Sequence, residues 1–304
     1  MLYRKTIIRP SDGYFQDYAD AARPPEQNLR LHIILFLLTL LTTTCCGSFL
    51  ADRNPFTSLD GFAAGLPFSV TLLCILGVHE FGHYFASRRW RVNVTLPYFI
   101  PVPLPPIGTF GAVIKMRSSI PNRKALVDIG VAGPIAGFVV SIAATIIGLR
   151  YSTVLPIDTT DVSMAYILGE SFMFKFLTWI TLGTLAENQN VILHPMAFAG
   201  WLGFFVTALN LIPFGQLDGG HILFAVSPRT HDLLRRIRIP VLLLLGITFW
   251  SGWFVWAIIL LILGSRHPYP DYSEPDIGTL RYILAALALV IFVLCMMPMP
   301  IMVG

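Results

Sequence analysis

Long apolar runs are the feature that most constrains how this chain can fold. Each is long enough to cross about 30 Å of hydrocarbon, which takes roughly 17 to 25 helical residues. Only 12% of the 304 residues are charged, whereas a soluble domain carries about 25%. The sequence therefore predicts an all-α polytopic membrane protein with about six transmembrane helices. The six runs lie at about 31–50, 68–88, 125–149, 196–222, 240–263 and 281–300.

Short connections between the runs indicate one membrane unit. We expect a cytoplasmic amino-terminal segment at residues 1–30 and a single transmembrane domain at residues 31–304. The stretch 163–186 is apolar but interrupted by charges, and we expect it to lie in the membrane interface or to re-enter the membrane.

The lysines and arginines predict the orientation. If the amino terminus is cytoplasmic, sixteen of the 21 basic residues fall in inside segments, as the positive-inside rule requires. This predicts both termini inside, with Arg88, Arg89 and Arg91 at the cytoplasmic face. We expect the chain in a bacterial inner membrane, in contact with lipid and without a nucleic-acid partner. The sequence leaves its oligomeric state open.

The second apolar run contains ionisable residues where lipid is expected. "HEFGH", residues 79–83, places His79 and His83 four positions apart, so both rings lie on one helix face. Neutral imidazole is a good zinc ligand, and Glu80 would lie beside the ion, where it can take a proton from the attacking water. The alternative is a buried hydrogen-bonded cluster that holds helices together, but ionisable groups in a span usually mark function. Gly82 would either admit a substrate backbone or serve helix packing.

A zinc site needs a third protein ligand, and the fourth run offers one. In "NLIPFGQLDGGHILFAV", residues 210–226, Asp218 lies deep in apolar surroundings. His221 is the alternative ligand, and Asn210 is the best neutral hydrogen-bonding group on the segment. Broken backbone at membrane depth is tolerated where protein or a water-filled cavity satisfies it. Four residues are predicted to interrupt the helix here: Pro213, Gly215, Gly219 and Gly220.

HEFGH at 79–83 together with NLIPFGQLDGG at 210–220 closely resembles the motif pair of the site-2 protease family of intramembrane zinc metalloproteases. "GVAGPIAGFVV" (130–140) resembles that family's small-residue core helix, and "IGTFGAVIKMRS" (107–118) resembles its hairpin region. The resemblance covers about residues 68–226 and implies a catalytic core of spans 2, 3 and 4. It also implies a short β-hairpin-like insertion between spans 2 and 3.

The resemblance further implies the roles of the polar residues. His79, His83 and Asp218 would bind one zinc ion, Glu80 would act as general base, and Asn210 would help to hold the substrate or the oxyanion. The expected activity is hydrolysis of a peptide bond in or next to a transmembrane helix of a membrane protein substrate. No connection between spans exceeds about 45 residues, given the span lengths assumed above. We therefore expect a compact member without a PDZ or CBS domain.

The hairpin region predicts where a substrate would bind. Residues 107–117 alternate in a β-permissive way, and Gly111, Ala112 and Val113 could pair with an extended substrate by strand addition. The alternative is an amphipathic interfacial loop that never meets substrate.

Two other functions use the same residues. A membrane zinc transporter also places histidines and carboxylates in its spans, and a non-proteolytic adaptor would bind membrane helices without cleaving them. Glu80 argues against the adaptor. Clustering of the polar residues near one end of spans 2 and 4 favours a dead-ended site over a transport path. A third possibility is a different membrane zincin, which would use another histidine or a glutamate where this chain has Asp218.

Overall fold

The computed structural model describes residues 27–156, 166–263 and 276–303, most of which are helical. The expectation for residues 1–30 therefore lies almost entirely outside the described residues. The helices within these ranges are α1 (Leu29–Leu50), α2 (Leu59–Ala63), α3 (Leu66–Arg89), α4 (Arg123–Arg150), α5 (Phe172–Leu182), α6 (Pro195–Leu211), α7 (Asp218–Val226), α8 (Pro228–Thr248), α9 (Gly252–Leu263) and α10 (Thr279–Cys295). The strands are β1 (Tyr98–Pro101), β2 (Thr109–Val113), β3 (Thr153–Pro156), β4 (Tyr166–Leu168), β5 (Gln189–Ile192) and β6 (Ile301–Val303).

Helix length and hydropathy agree with a membrane protein. Three helical segments of the described chain are long and apolar enough to cross a bilayer: Leu29–Leu50, Leu59–Arg89 and Arg123–Arg150. Shorter apolar helices accompany them, among them α5, α6 and α10. The helical membrane class predicted from the sequence is confirmed at this level, while the number of six spans stays a prediction.

The predicted fourth span is divided between α6 and α7. Pro213 and Gly215 lie in the break between these helices, as predicted. Gly219 and Gly220 lie inside α7, so the prediction that they interrupt the helix was wrong. Both are there for packing, because a Cβ on either would overlap a backbone carbonyl of the preceding segment.

The predicted fifth span is also divided. Residues 240–263 are split between α8 and α9, which are joined by a turn at residues 249–251 and pack on one another. The sequence predicted a single span here because the residues of the turn, "FWS" at 249–251, are themselves largely apolar.

The core of the molecule is formed by α3, α4 and α6, the three elements predicted as spans 2, 3 and 4. Small residues bring α4 and α6 together: a Cβ on Gly200 would overlap the Thr145 hydroxyl, and one on Gly203 would overlap that of Ser141. Since lipid provides no hydrophobic drive between helices, such close van der Waals packing stabilises the contact. Trp201 and Phe204 fill the remaining space and are fully buried.

The predicted hairpin follows α3. Strands β1 and β2 pair antiparallel, with Tyr98 opposite Val113 and Phe99 opposite Ala112. An isolated bridge between Val94 and Met116 continues the pairing toward the base of the hairpin. Two further two-stranded sheets, β3 with β5 and β4 with β6, were not predicted. Strands of three or four residues are too short to give a period of two.

Helix α5 occupies nearly half of the stretch 163–186, whose residues 163–165 lie outside the described part. Its 11 residues extend about 16 Å at 1.5 Å per residue, roughly half the hydrocarbon thickness. Phe172, Phe176 and Trp179 are exposed on its surface. This supports the expectation that the stretch does not cross the membrane.

Contacts at the two ends of α10 show its direction. At its start, Arg281 Nη2 lies 2.8 Å from Asp128 Oδ2 in the first turns of α4. After its end, the Pro300 carbonyl accepts from the Gly169 N–H, and Gly169 in turn accepts from Trp201 near the start of α6. Helix α10 therefore runs parallel to α4.

The two ends of the described chain consequently lie at opposite ends of the bundle. Gln27 contacts the backbone of Val94 and Leu96 at the base of the hairpin, whereas β6 lies at the far end beside β4. The prediction of both termini on one side disagrees with this arrangement, because the fifth span was counted as one crossing.

Candidate metal centre

Two histidines in the second half of α3 begin the site. His79 and His83 are 5% and 6% exposed, and their Nε2 atoms lie 3.1 Å apart. Helix α3 carries both without interruption. Its ends are favourable, with Pro67 in the first turn, and Arg88 and Arg89 in the last turn, where basic residues interact well with the helix dipole. The i, i+4 prediction for these rings agrees with the geometry.

Asp218, the first residue of α7, completes the cluster. Its Oδ2 lies 3.2 Å from His83 Nε2 and 3.5 Å from His79 Nε2. Within the described ranges these three side chains form the group able to hold a metal ion, and His221 is not part of it. The break after α6 turns the start of α7 back toward α3, which is how a residue so distant in sequence reaches the histidines.

The geometry fits a zinc ion. A tetrahedral zinc with ligands at about 2.0–2.1 Å has neighbouring ligand atoms about 3.3 Å apart. The three ligand atoms here lie 3.1, 3.2 and 3.5 Å apart. Three protein ligands leave one coordination position open, which is typical of catalytic rather than structural zinc.

A backbone contact orients one ring. His83 Nδ1 lies 2.8 Å from the carbonyl oxygen of Ile129 on α4, so an Nδ1–H donates there. The Nε2 lone pair then faces Asp218 and is available to a metal, the usual arrangement of a metal-binding histidine and its outer partner.

Glycines on α4 form the surface on which both rings lie. A Cβ on Gly133 would overlap His83 Nε2, and one on Gly137 would come within 3.1 Å of His79 Nδ1. These residues were missed as part of the site. Their spacing of four, equal to that of the histidines, is the signal that could have identified them. Gly82 would bring a Cβ within 2.6 Å of the Ala132 carbonyl, which favours its packing role over a substrate role.

Glu80 lies on the side of α3 that faces the hairpin. Its carboxylate is within hydrogen-bonding reach of the Ile114 N–H, immediately after β2, and it is close to His83 and Asp218. The predicted substrate residues Gly111, Ala112 and Val113 lie on this same strand. The structure thus brings the predicted base, the metal cluster and the hairpin into one region.

Asn210 reaches the same region from the last turn of α6. Its Nδ2 lies 3.2 Å from His79 Nε2. The amide therefore borders the metal cluster on the side of α6, where it can donate to an atom bound beside the ligands.

Comparisons with known proteins identify the family of the chain. The family model of Peptidase family M50 matches residues 67–249. "Probable zinc metalloprotease EGY1, chloroplastic" of Arabidopsis thaliana is 32% identical over 77% of this chain and 43% of its own length. "Probable zinc metalloprotease EGY2, chloroplastic" of the same plant is 30% identical over 88% of this chain and 48% of its own length.

The chain spans about half the length of these curated relatives. No solved structure matches it. The family match covers more than half of the chain and includes all three residues of the metal cluster and Glu80. The chain belongs to Peptidase family M50.

Proposed function

We propose that this protein is an intramembrane zinc metalloprotease that hydrolyses peptide bonds in or next to transmembrane helices of membrane protein substrates. The observation that carries the proposal is the cluster of His79, His83 and Asp218, spaced as tetrahedral zinc ligands and placed beside Glu80 within an apolar bundle. Both Arabidopsis relatives carry zinc metalloprotease names, which supports zinc as the metal.

Each side chain has a role in this mechanism. His79, His83 and Asp218 would hold the zinc ion, which when bound would act as a Lewis acid and lower the pKa of a water molecule. Glu80 accepts the proton of the attacking water and returns it to the leaving amine. Asn210 donates a hydrogen bond to the negative charge that develops on the scissile carbonyl oxygen.

The substrate must present extended backbone to this site, because a helical segment has its carbonyls engaged in hydrogen bonds. One edge of β2 is occupied by β1, and the opposite edge is the place for an added strand. The contact of Glu80 with the Ile114 backbone supports a general base next to that strand. Gly111, Ala112 and Val113 would then align the substrate backbone.

The proposal extends to organisation and location. Residues 31–304 would form a single transmembrane protease domain with its core at about 68–226, inserted in the bilayer with the amino terminus cytoplasmic. A bacterial inner membrane stays our proposal for its location, although the plant relatives are named chloroplastic. Fractionation of cells from the source organism tests it directly.

A pair of substitutions tests the mechanism. Glu80→Gln keeps the ligands and removes the base, so the purified variant should retain zinc and lose cleavage of a transmembrane substrate. Asp218→Ala should lose both zinc and cleavage. Glu187→Gln is the matched control, since Glu187 is exposed and outside the metal cluster. Proteolysis by purified Glu80→Gln protein at the wild-type rate would overturn the mechanism.

A further inference from the structure

Five basic side chains lie together at one end of the bundle and take no part in the mechanism. Three of them follow the metal-binding part of α3, namely Arg88, Arg89 and Arg91. The other two follow β2, namely Lys115 and Arg117. We call these five residues the basic rim. All are exposed. Within the described part of the chain, none of the five forms an ion pair. Their charges are therefore available to a partner.

Arg91 is held in a backbone conformation that arginine rarely adopts. Its φ is 57°, and it ends α3 in a Schellman motif: the Arg91 N–H donates to the Arg88 carbonyl and the Val92 N–H to that of Ser87. Glycine is the usual residue at this position because it has no Cβ to strain. An arginine here costs some stability relative to glycine, and its exposed side chain adds a charge to the rim.

The hairpin brings the two halves of the rim together. Arg117 donates its backbone N–H to the Asn93 carbonyl at 2.8 Å, and Asn93 follows Arg91 by two residues. Lys115 and Arg117 are two positions apart, so their side chains share one face of the extended backbone. The rim is thus one surface made from the end of α3 and the base of the hairpin.

The rim lies on the path of the proposed substrate. A strand added along β2 continues past Val113, and Lys115 and Arg117 follow that residue by about 7 and 14 Å at 3.3–3.4 Å per residue. Residues that flank the cleaved segment on this side would run beside the rim. His83 lies about 8 Å along the helix axis from Arg88 at 1.5 Å per residue, so substrate can contact the rim and the metal site at once.

We propose that the basic rim selects substrates whose flanking segment, on the side of the membrane where Arg88–Arg91 lie, is acidic. This inference rests on the proposed function and names the substrate class of that same site. Most transmembrane helices carry lysines and arginines on their cytoplasmic flank, so a basic rim would repel them. The rim would thereby restrict cleavage to a minority of membrane proteins.

Reporter substrates with one transmembrane helix test this selection. Three versions differ only in the flank beside the rim, which carries a run of Glu, Gln or Lys. With purified protein in vesicles of phosphatidylcholine, kcat/KM for the Glu version should exceed that for the Lys version by about tenfold, the size expected from a few exposed charge pairs. High salt should reduce the difference, because exposed charges are screened.

Charge reversal identifies the residues responsible. Lys115→Glu/Arg117→Glu protein should favour the Lys flank, whereas the control Arg150→Glu, an exposed charge at the far end of α4, should behave as wild type. Arg91→Gly relieves the backbone strain, so it should reduce the preference for Glu without lowering the melting temperature. A reduced preference for the Glu flank at an unchanged melting temperature separates a binding role of Arg91 from a structural one.

Other outcomes overturn the inference. Equal kcat/KM for the three flanks, with cleavage intact, removes the selection and leaves the proposed function in place. Rates that follow the content of phosphatidylglycerol in the vesicles, whatever the flank, would assign the rim to lipid headgroups. If wild-type protein cleaves no reporter, the proposed function fails, and crosslinking of the three flanks to the Glu80→Gln variant still decides whether the rim prefers the acidic one.

Discussion

Gly133 and Gly137 matter to the metal site through the side chains that they lack. Both lie on α4 against the rings of His83 and His79: a methyl on Gly133 would overlap His83 Nε2, and one on Gly137 would come within 3.1 Å of His79 Nδ1. Packing of this kind positions ligand atoms without any polar contact. At the scale of the residue, the site therefore depends on the lack of a side chain at these glycines as well as on the three ligands.

We expect Gly133→Ala to weaken zinc binding by about 10- to 100-fold, the usual cost of disturbing the surroundings of a metal ligand. The added methyl would overlap His83 Nε2, the ligand atom itself. Alanine is also the better helix former, so zinc loss could not be attributed to a weakened helix. Zinc content after dialysis against a graded chelator measures the effect.

The control for this substitution is Gly77→Ala on α3. A Cβ there meets its nearest neighbour, Phe99, at an ordinary distance of 3.6 Å, so zinc content should not change. Wild-type zinc affinity in the Gly133→Ala protein would show that the rings can move aside and that the glycine is not needed.

Local spacing and distant contacts differed in how well the sequence predicted them. His79, Glu80 and His83 were predicted because helix geometry acts over four residues. Asp218 was predictable because a carboxylate in an apolar run is costly. The Asp128–Arg281 pair joins residues 153 positions apart, and no local pattern indicates such a contact.

At the scale of the element, α1 is the support of the hairpin. His32 Nδ1 donates to the Pro97 carbonyl at 3.1 Å while its ring stacks on Tyr98. About three turns further along α1, the Thr42 hydroxyl donates to the Gly108 carbonyl at 2.7 Å. One contact comes just before β1 in the sequence and the other comes after it, so α1 holds that strand in place. The outer edge of β2 is left for the proposed substrate.

The double variant His32→Phe/Thr42→Val should loosen the hairpin without affecting the metal. Phenylalanine keeps the stacking on Tyr98 and valine keeps the shape of threonine, but two hydrogen bonds are lost, each worth roughly 0.5–1.5 kcal/mol. We expect KM for a transmembrane reporter to rise by at least about fivefold, since about 1 kcal/mol, the lower end for two such bonds, corresponds to that factor. Zinc content should be unchanged, and amide exchange across residues 98–113 should be faster.

Thr39→Val provides the comparison for this variant. The Thr39 hydroxyl donates to the Leu35 carbonyl of its own helix, so its loss removes a similar bond without touching the hairpin. Equal KM values for the double variant and for Thr39→Val would refute the supporting role of α1.

At the scale of the whole molecule, Arg281 joins three helices. Its guanidinium pairs with Asp128 of α4 and lies over the ring of Trp90, 5.6 Å from the ring centroid, just after α3. Trp90 Nε1 also donates to Asp128. These contacts anchor the start of α10 at the same end as the basic rim, which decides the direction of the last helix.

That direction strengthens the charge asymmetry of the chain. Counting α8 and α9 as separate passes moves Arg281 to the side of the basic rim, where it pairs with Asp128. Of the 16 basic residues within the described ranges, the far side then keeps three, namely Arg53, Arg150 and Lys175. A stronger asymmetry is what the positive-inside rule favours, so an independent principle supports the direction of α10 seen in the structure.

We therefore predict that the two termini lie on opposite sides of the membrane, the amino terminus being cytoplasmic. Epitope tags at the two ends are probed with antibody on sealed vesicles, and the two tags should never be accessible from the same side. The carboxy-terminal tag should be accessible only from the far side. A tag inserted within residues 157–165, between β3 and β4, should behave like the carboxy-terminal tag, because β4 pairs with β6. Both terminal tags accessible from the same side would restore an even number of crossings and contradict the path of α8 to α10.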